Sequence, residues 1–193
     1  MIDKKLIGKY KTYLKDNLSK KRYTHSVNVA NAALELARRY DSDEDKAYIA
    51  GLLHDVCKEM PADKQLELVM ASKLDVCDIE KETSALFHAV AGAEFVQTKF
   101  SISDPEIIEA IRYHTIGCGN MSKPAQIIYL ADLISEDRDY KDVKKMRKFA
   151  EQSLEKAMLE ALRFSISSSV EKGNTIPLST LECYNDFVRA NEK

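Results

Sequence analysis

The chain contains only four histidines, and the residues around one of them indicate a metal site. The four are His25, His54, His88 and His114. A lone helical histidine is usually a satisfied core or surface residue, so each one alone indicates little. His54 differs because it follows the apolar pair Leu52-Leu53 and directly precedes Asp55. A buried carboxylate requires a partner, and a divalent cation is one partner that satisfies imidazole and carboxylate together.

A second buried carboxylate is predicted at Asp132, which lies inside the apolar helical run of residues 129–134. Successive helical residues point about 100° apart. His54 and Asp55 therefore either flank a site at the end of a helix, or one of them reaches two metals. A carboxylate has two oxygens and can bridge a metal pair. These residue types leave both arrangements open.

Helix signals recur along the chain, whereas period-two strand patterns are absent. Apolar residues spaced three and four apart over residues 21–40 predict one amphipathic helix, and a single long helix is predicted from about 142 to 170. Helix starts are predicted at Ser19, Ser42, Pro61, Thr83 or Ser84, Asp104-Pro105, Ser122 and Pro177. We expect eight or nine helices, no sheet and one compact domain.

Composition narrows the class of protein. The 193 residues are 45% hydrophobic and 31% charged, which is typical of a globular domain. The net charge of −2 provides no general field for binding a nucleic-acid backbone. No signal-peptide region and no apolar run of membrane-spanning length is visible. The cysteines at 57, 77, 118 and 183 form no CxxC pair. We expect a cytoplasmic protein with free thiols that binds neither nucleic acid nor membrane.

The order of the candidate ligands resembles a known family. His25, then His54-Asp55, then Asp132 resembles the H…HD…D signature of the HD-domain phosphohydrolases. Five segments in order look like the bacterial YqeK family, at residues 22–27, 51–58, 88–93, 111–115 and 128–132. The resemblance implies an all-α fold, a single compact HD-domain helical bundle over residues 1–193. Its catalytic core would span about 19–140, with covering helices at about 141–193.

The resemblance also implies a cofactor and a reaction. One divalent metal would be bound by His25, His54, Asp55 and Asp132, and a second by His88 and His114, with Asp55 bridging. The family is associated with iron, although these ligands also suit Mn, Zn or Ni. Family members cleave diadenosine tetraphosphate symmetrically to two ADP. In-line attack by a hydroxide that bridges the metals is the implied mechanism.

Charge on the phosphoryl oxygens requires further cations. Arg22 and Lys58 are predicted to act beside Asp55 in catalysis. The residues predicted to contact the nucleotide substrate are Arg22, Lys58, His88, His114, Thr115 and Arg138. Three alternatives stay open, namely another HD chemistry (nucleotidase or cyclic-nucleotide phosphodiesterase), a non-catalytic nucleotide-sensing module, and a di-iron oxygenase on the HD scaffold. A homodimer is also left open.

Overall fold

The prediction of an all-α fold is confirmed by a computed structural model, which describes residues 4–191. Within that range the chain forms eleven α-helices and one short 3-10 helix, with no strand, so the expectation of eight or nine helices is too low. The α-helices are α1 (Lys4–Asn17), α2 (Lys20–Arg39), α3 (Glu44–Leu53), α4 (Ala62–Ala71), α5 (Asp78–Glu82), α6 (Phe87–Phe100), α7 (Pro105–Tyr113), α8 (Lys123–Ile134), α9 (Val143–Gln152), α10 (Leu154–Glu171) and α11 (Leu178–Asn191). The 3-10 helix, Ser84–Leu86, leads directly into α6.

Side-chain caps fix the starts of three helices that carry or directly precede candidate ligands. Ser19, Asp104 and Ser122 each accept a hydrogen bond from a backbone N–H in the first turn of α2, α7 and α8. Such caps satisfy donors that have no partner within the helix. The sequence predicted these three helix starts correctly. Each cap defines where along the chain its helix begins.

The prediction of one long helix from about 142 to 170 is wrong. The segment forms two helices, α9 and α10, separated by Ser153. Ser153 has extended backbone (φ −159°, ψ 134°), and its side chain caps α10 by accepting from the backbone N–H of Lys156. Serine competes for helical hydrogen bonds through its hydroxyl, which favours a cap over a helix interior. The break lets α9 and α10 pack against each other.

Helix α3 lies at the centre of the bundle, against α2, α7 and α8. Gly51 makes its contact with α2 close, because an added Cβ would lie 2.9 Å from the Cα of Ala30. Only glycine permits that approach of two backbones. The short distance between α2 and α3 brings His25, on α2, beside His54 at the end of α3.

The C-terminal helices cover one side of this bundle. Helix α10 packs against α8, α9 and α11, and it buries Leu154, Met158 and Leu162. Among the helices of residues 4–191, none combines the length and apolar character needed to cross a bilayer. The predicted single domain of 1–193 includes residues 1–3 and 192–193, which lie outside the described residues, and its bounds stay a prediction.

Candidate metal centre

The four histidines and two aspartates predicted as ligands come together at the middle of the bundle. Each of helices α2, α6 and α8 contributes one of these residues from within its length, and the turns after α3 and α7 contribute the other three. All of them are almost completely buried except Asp132, whose side chain is 17% exposed. The residues are His25, His54, Asp55, His88, His114 and Asp132.

All four imidazoles are anchored through Nδ1 to an acceptor. His54 Nδ1 lies 2.7 Å from the Gly51 carbonyl, and His114 Nδ1 lies 2.7 Å from the Ile111 carbonyl. His88 Nδ1 makes the same contact, at 3.0 Å, with the carbonyl three residues before it. Since a carbonyl only accepts, Nδ1 carries the proton and donates. The Nε2 atoms then keep free lone pairs, which is the tautomer that binds metals.

The fourth imidazole is anchored by a carboxylate that the sequence did not indicate. His25 Nδ1 lies 2.8 Å from Asp137 Oδ2, and Asn28 donates to the other oxygen of Asp137 at 3.1 Å. A carboxylate–histidine pair of this kind fixes the tautomer and raises the basicity of the ring. Asp137 lies in an acidic stretch that reads as solvated surface, so only the pairing in three dimensions reveals it.

The two oxygens of Asp55 face different histidines. Oδ2 lies 3.4 Å from His54 Nε2 and 3.9 Å from His25 Nε2. Oδ1 lies 3.5 Å from His88 Nε2 and 3.7 Å from His114 Nε2. One carboxylate therefore joins two groups of donors. Two of the triads that could hold a metal ion share this residue, His25–His54–Asp55 and Asp55–His88–His114.

Several donor atoms in this cluster have no adequate partner in the protein. His25 Nε2 and His54 Nε2 are buried without a hydrogen bond, and His25 Nε2 lies 2.9 Å from Asp132 Oδ1, which in this tautomer is an acceptor as well. His88 Nε2 and His114 Nε2 lie 3.3 Å apart, and with both Nδ1 atoms donating, two lone pairs face each other, of which only that of His88 also lies near a donor, Lys58 Nζ. Buried polar atoms without partners are costly. Divalent cations relieve both defects, so the donor set fits the predicted metals.

The charge states also suit metal binding. Burial alone raises the pKa of Asp55, but His54 and His114 outweigh it and hold that pKa well below the usual value. Burial, followed by the neighbouring His114 and Lys58, lowers the pKa of His88 to about 3. At neutral pH the carboxylate is charged and the imidazole of His88 is neutral, which are the forms that coordinate metals.

Three predicted cations lie directly against the cluster. Arg22 Nη1 donates to Asp55 Oδ2 at 2.6 Å, and Arg138 donates to the carboxylate and to the carbonyl of Asp132. Lys58 Nζ lies 3.1 Å from His88 Nε2. The structure thus brings together all three with the candidate ligands. Arg22 and Arg138 also line an open cleft of about 520 Å³ that reaches His25.

Thr115, predicted to contact substrate, lies elsewhere. It follows His114 directly but lines a separate cavity, and its buried hydroxyl has no hydrogen-bond partner. The structure therefore places it beside the cluster, outside the cleft lined by Arg22 and Arg138.

Comparisons with known proteins identify the family to which this chain belongs. The HD-domain profile matches residues 22–137. The symmetrical bis(5'-nucleosyl)-tetraphosphatase of Bacillus subtilis is 33% identical, over 91% of this chain and 94% of the relative. The chain belongs to the YqeK family of HD-domain proteins. The enzyme of the same name from Staphylococcus aureus is also 33% identical, over 97% of both chains.

A solved structure supports both the family and the fold. A protein from Clostridium acetobutylicum, described as a predicted HD superfamily hydrolase involved in NAD metabolism, superposes with a TM-score of 0.91. It is 36% identical, and the match covers 95% of this chain and 97% of the other. HD domains bind divalent metals, and the described residues of this YqeK-family chain contain His/Asp groups able to hold them.

Proposed function

We propose that this chain is a metal-dependent hydrolase that cleaves diadenosine tetraphosphate symmetrically into two ADP. The observation that carries the proposal is the division of the Asp55 oxygens between two histidine groups, which provides donors for two cations. The names of the 33%-identical relatives, symmetrical bis(5'-nucleosyl)-tetraphosphatases, supply the substrate. As part of the proposal, the enzyme acts in the cytoplasm.

The proposed cofactor is a pair of divalent metal ions, with iron as the metal. His25, His54, Asp55 and Asp132 would hold one ion, and His88, His114 and the shared Asp55 the other. Nitrogen and carboxylate ligands without thiolate suit iron, and also Mn, Zn or Ni. When bound, such metals lower the pKa of a coordinated water and neutralise charge on phosphoryl oxygens.

The protein's own residues bind and orient the polyphosphate. Arg22, Lys58 and Arg138 place three cations around the buried carboxylates, where they can contact phosphate oxygens. Burial lowers the pKa of Lys58, although the charge of Asp55 opposes this effect. Arginine is suited to this role because its planar fork binds two phosphate oxygens at once.

A covalent route through a nearby thiol is disfavoured. Cys57 lies two residues from Asp55 and is completely buried. Burial, together with the charge of Asp55, raises the pKa of the Cys57 thiol to about 12. The thiolate is the nucleophilic form of cysteine, and it would be scarce at neutral pH. The proposed reaction is therefore direct hydrolysis by water.

Product analysis on protein purified without oxygen tests this proposal. Metal-loaded protein should convert diadenosine tetraphosphate to ADP alone, and metal analysis should find about two ions per chain. Asp132→Asn should lose activity and metal, whereas Asp78→Asn, whose carboxylate is 89% exposed, should retain both. AMP with ATP would refute symmetrical cleavage. Nucleotide binding without turnover would favour the sensing module, and turnover of monophosphates or cyclic nucleotides would favour the other HD chemistries.

A further inference from the structure

Two cavities of opposite character lie beside the histidine cluster. The charged cleft is lined by Lys21, Arg22, His25, Glu59 and residues 137–140, and most of these side chains are ionic. The neutral cavity shares none of these residues, and its lining includes Ala85, Leu86, Thr115, Ile116, Ser169 and Thr180. None of the residues that line the neutral cavity carries a charge. A phosphate would find no counter-charge there.

The neutral cavity adjoins the histidines that face Asp55 Oδ1. Thr115 is the residue after His114, and the carbonyl of Ala85 accepts from Nδ1 of His88 at 3.0 Å. The charged cleft includes His25, which faces the other oxygen, Oδ2. Each cavity thus adjoins a different histidine group of the candidate metal centre.

The walls of the neutral cavity suit an uncharged, partly polar group. Leu86 and Ile116 provide apolar surface, while six of its thirteen lining residues carry hydroxyls. Thr180 is 6% exposed, and the hydroxyls of Thr180 and Thr115 are both buried without a partner. The volume of about 150 Å³ is room for about ten water-sized probes, enough for a flat ring system but not for a bulky charged group with its hydration shell.

We propose that the neutral cavity binds one nucleoside of the substrate, with the hydroxyls of Thr115 and Thr180 hydrogen-bonded to its base or ribose. This inference rests on the proposed function, because a dinucleoside cut at its centre has one nucleoside on each side of the metals. Ser169 and Thr180 belong to α10 and α11, which lie beyond the residues matched by the HD-domain profile. The C-terminal helices thereby supply substrate selectivity as well as cover.

Titration of ADP into metal-loaded protein tests the cavity without relying on turnover. Ser169→Phe should fill the cavity and remove one bound ADP per chain. Ser167→Phe, on the exposed face of the same helix, is the matched control and should bind as wild type does. Thr180→Val keeps the shape of the side chain but removes its hydroxyl, so the affinity for one bound ADP should fall about threefold to tenfold. Melting curves check that each variant folds.

Equal ADP binding by wild type, Ser169→Phe and Thr180→Val overturns the proposal, and the cavity then holds water only. Loss of one ADP with Ser169→Phe, but not with Ser167→Phe, supports it. The KM for diadenosine tetraphosphate should rise about tenfold in Ser169→Phe, while the KM for adenosine tetraphosphate, with one nucleoside, should change less. If wild-type protein produces no ADP from the dinucleotide, the proposed function fails, but the ADP titration still decides the cavity.

Discussion

Two buried clusters of charged residues lie close together along the chain and are built in opposite ways. One is the histidine cluster around Asp55, which includes His114. The other is the Arg112–Glu80 pair, whose arginine is two residues before His114 at the end of α7. Both are removed from water, since the side chains of Arg112 and Glu80 are 3% and 4% exposed. Burial alone therefore does not distinguish a candidate site from a structural contact.

The Arg112–Glu80 pair is nearly satisfied within the protein. Arg112 donates from Nη1 and Nη2 to the two oxygens of Glu80, at 2.6 and 2.8 Å, and from Nη2 to the carbonyl of Asp75 at 2.7 Å. Only its Nε lacks a partner. In the histidine cluster, by contrast, donor lone pairs face one another. Incomplete pairing, more than buried charge, therefore marks the group that requires an external cation.

Removing Asp55, the residue that both histidine groups share, should reduce activity more than any other single change. Asp55→Ala should reduce hydrolysis by about a thousandfold or more, or about 4 kcal/mol of transition-state stabilisation, because both metal groups lose a ligand. Steady-state kinetics and metal analysis on the same sample measure the effect. Glu80→Gln is the control, and it should keep its metal. An Asp55→Ala protein with full metal content would contradict the assignment.

Breaking the satisfied pair should instead lower stability. Glu80→Ala leaves a buried guanidinium without its counter-ion, which costs about 3–5 kcal/mol of the free energy of unfolding. Urea denaturation measures it, with Asp78→Ala in the same short helix as an exposed control that should change by less than about 0.5 kcal/mol. If Glu80→Ala were as stable as the control, the pair would not be structural.

Added metal should stabilise the protein through the histidine cluster and not through the Arg112–Glu80 pair. At a metal concentration about a hundredfold above the Kd, wild-type protein should gain about 2.7 kcal/mol in the free energy of unfolding for each bound ion. Glu80→Gln should keep this gain because its cation site is intact, whereas Asp55→Ala should lose it. Melting curves with and without a chelator show the shift. An equal gain in Asp55→Ala would mean that the metal binds elsewhere.

Local chemistry explains which parts of the fold could be predicted. The starts of α2, α7 and α8 depend on a capping side chain within the first turn, so the sequence shows them directly. Helix α1 was not predicted, although Ile7, Tyr10 and Leu14 are spaced three and four apart and bury one face. The break at Ser153 has a local signal, the capping side chain, but a serine inside an apolar helical pattern is too common to show by itself that a helix ends there.

The candidate ligands could be predicted because their residue types and order are distinctive. His54-Asp55 after an apolar pair, and Asp132 within an apolar run, are visible in one dimension. The long-range pairs around the site are not visible in this way. Glu80 is 32 residues from Arg112, and Asp137 is 112 residues from His25, so each contact depends on how distant helices meet.

The smallest expected effect concerns Asp137, a positioning residue that supports the incomplete cluster from outside. Asp137→Asn keeps an oxygen to accept from His25 Nδ1 but removes the charge, and metal affinity should fall about tenfold. Asp137→Ala removes both and should lower the affinity about a hundredfold. Chelator competition measures the affinity, with Asp139→Asn as the nearby control. Saturating metal should restore kcat in both variants, because the role assigned to Asp137 is to orient His25. If kcat stayed low at saturating metal, Asp137 would act in the reaction itself.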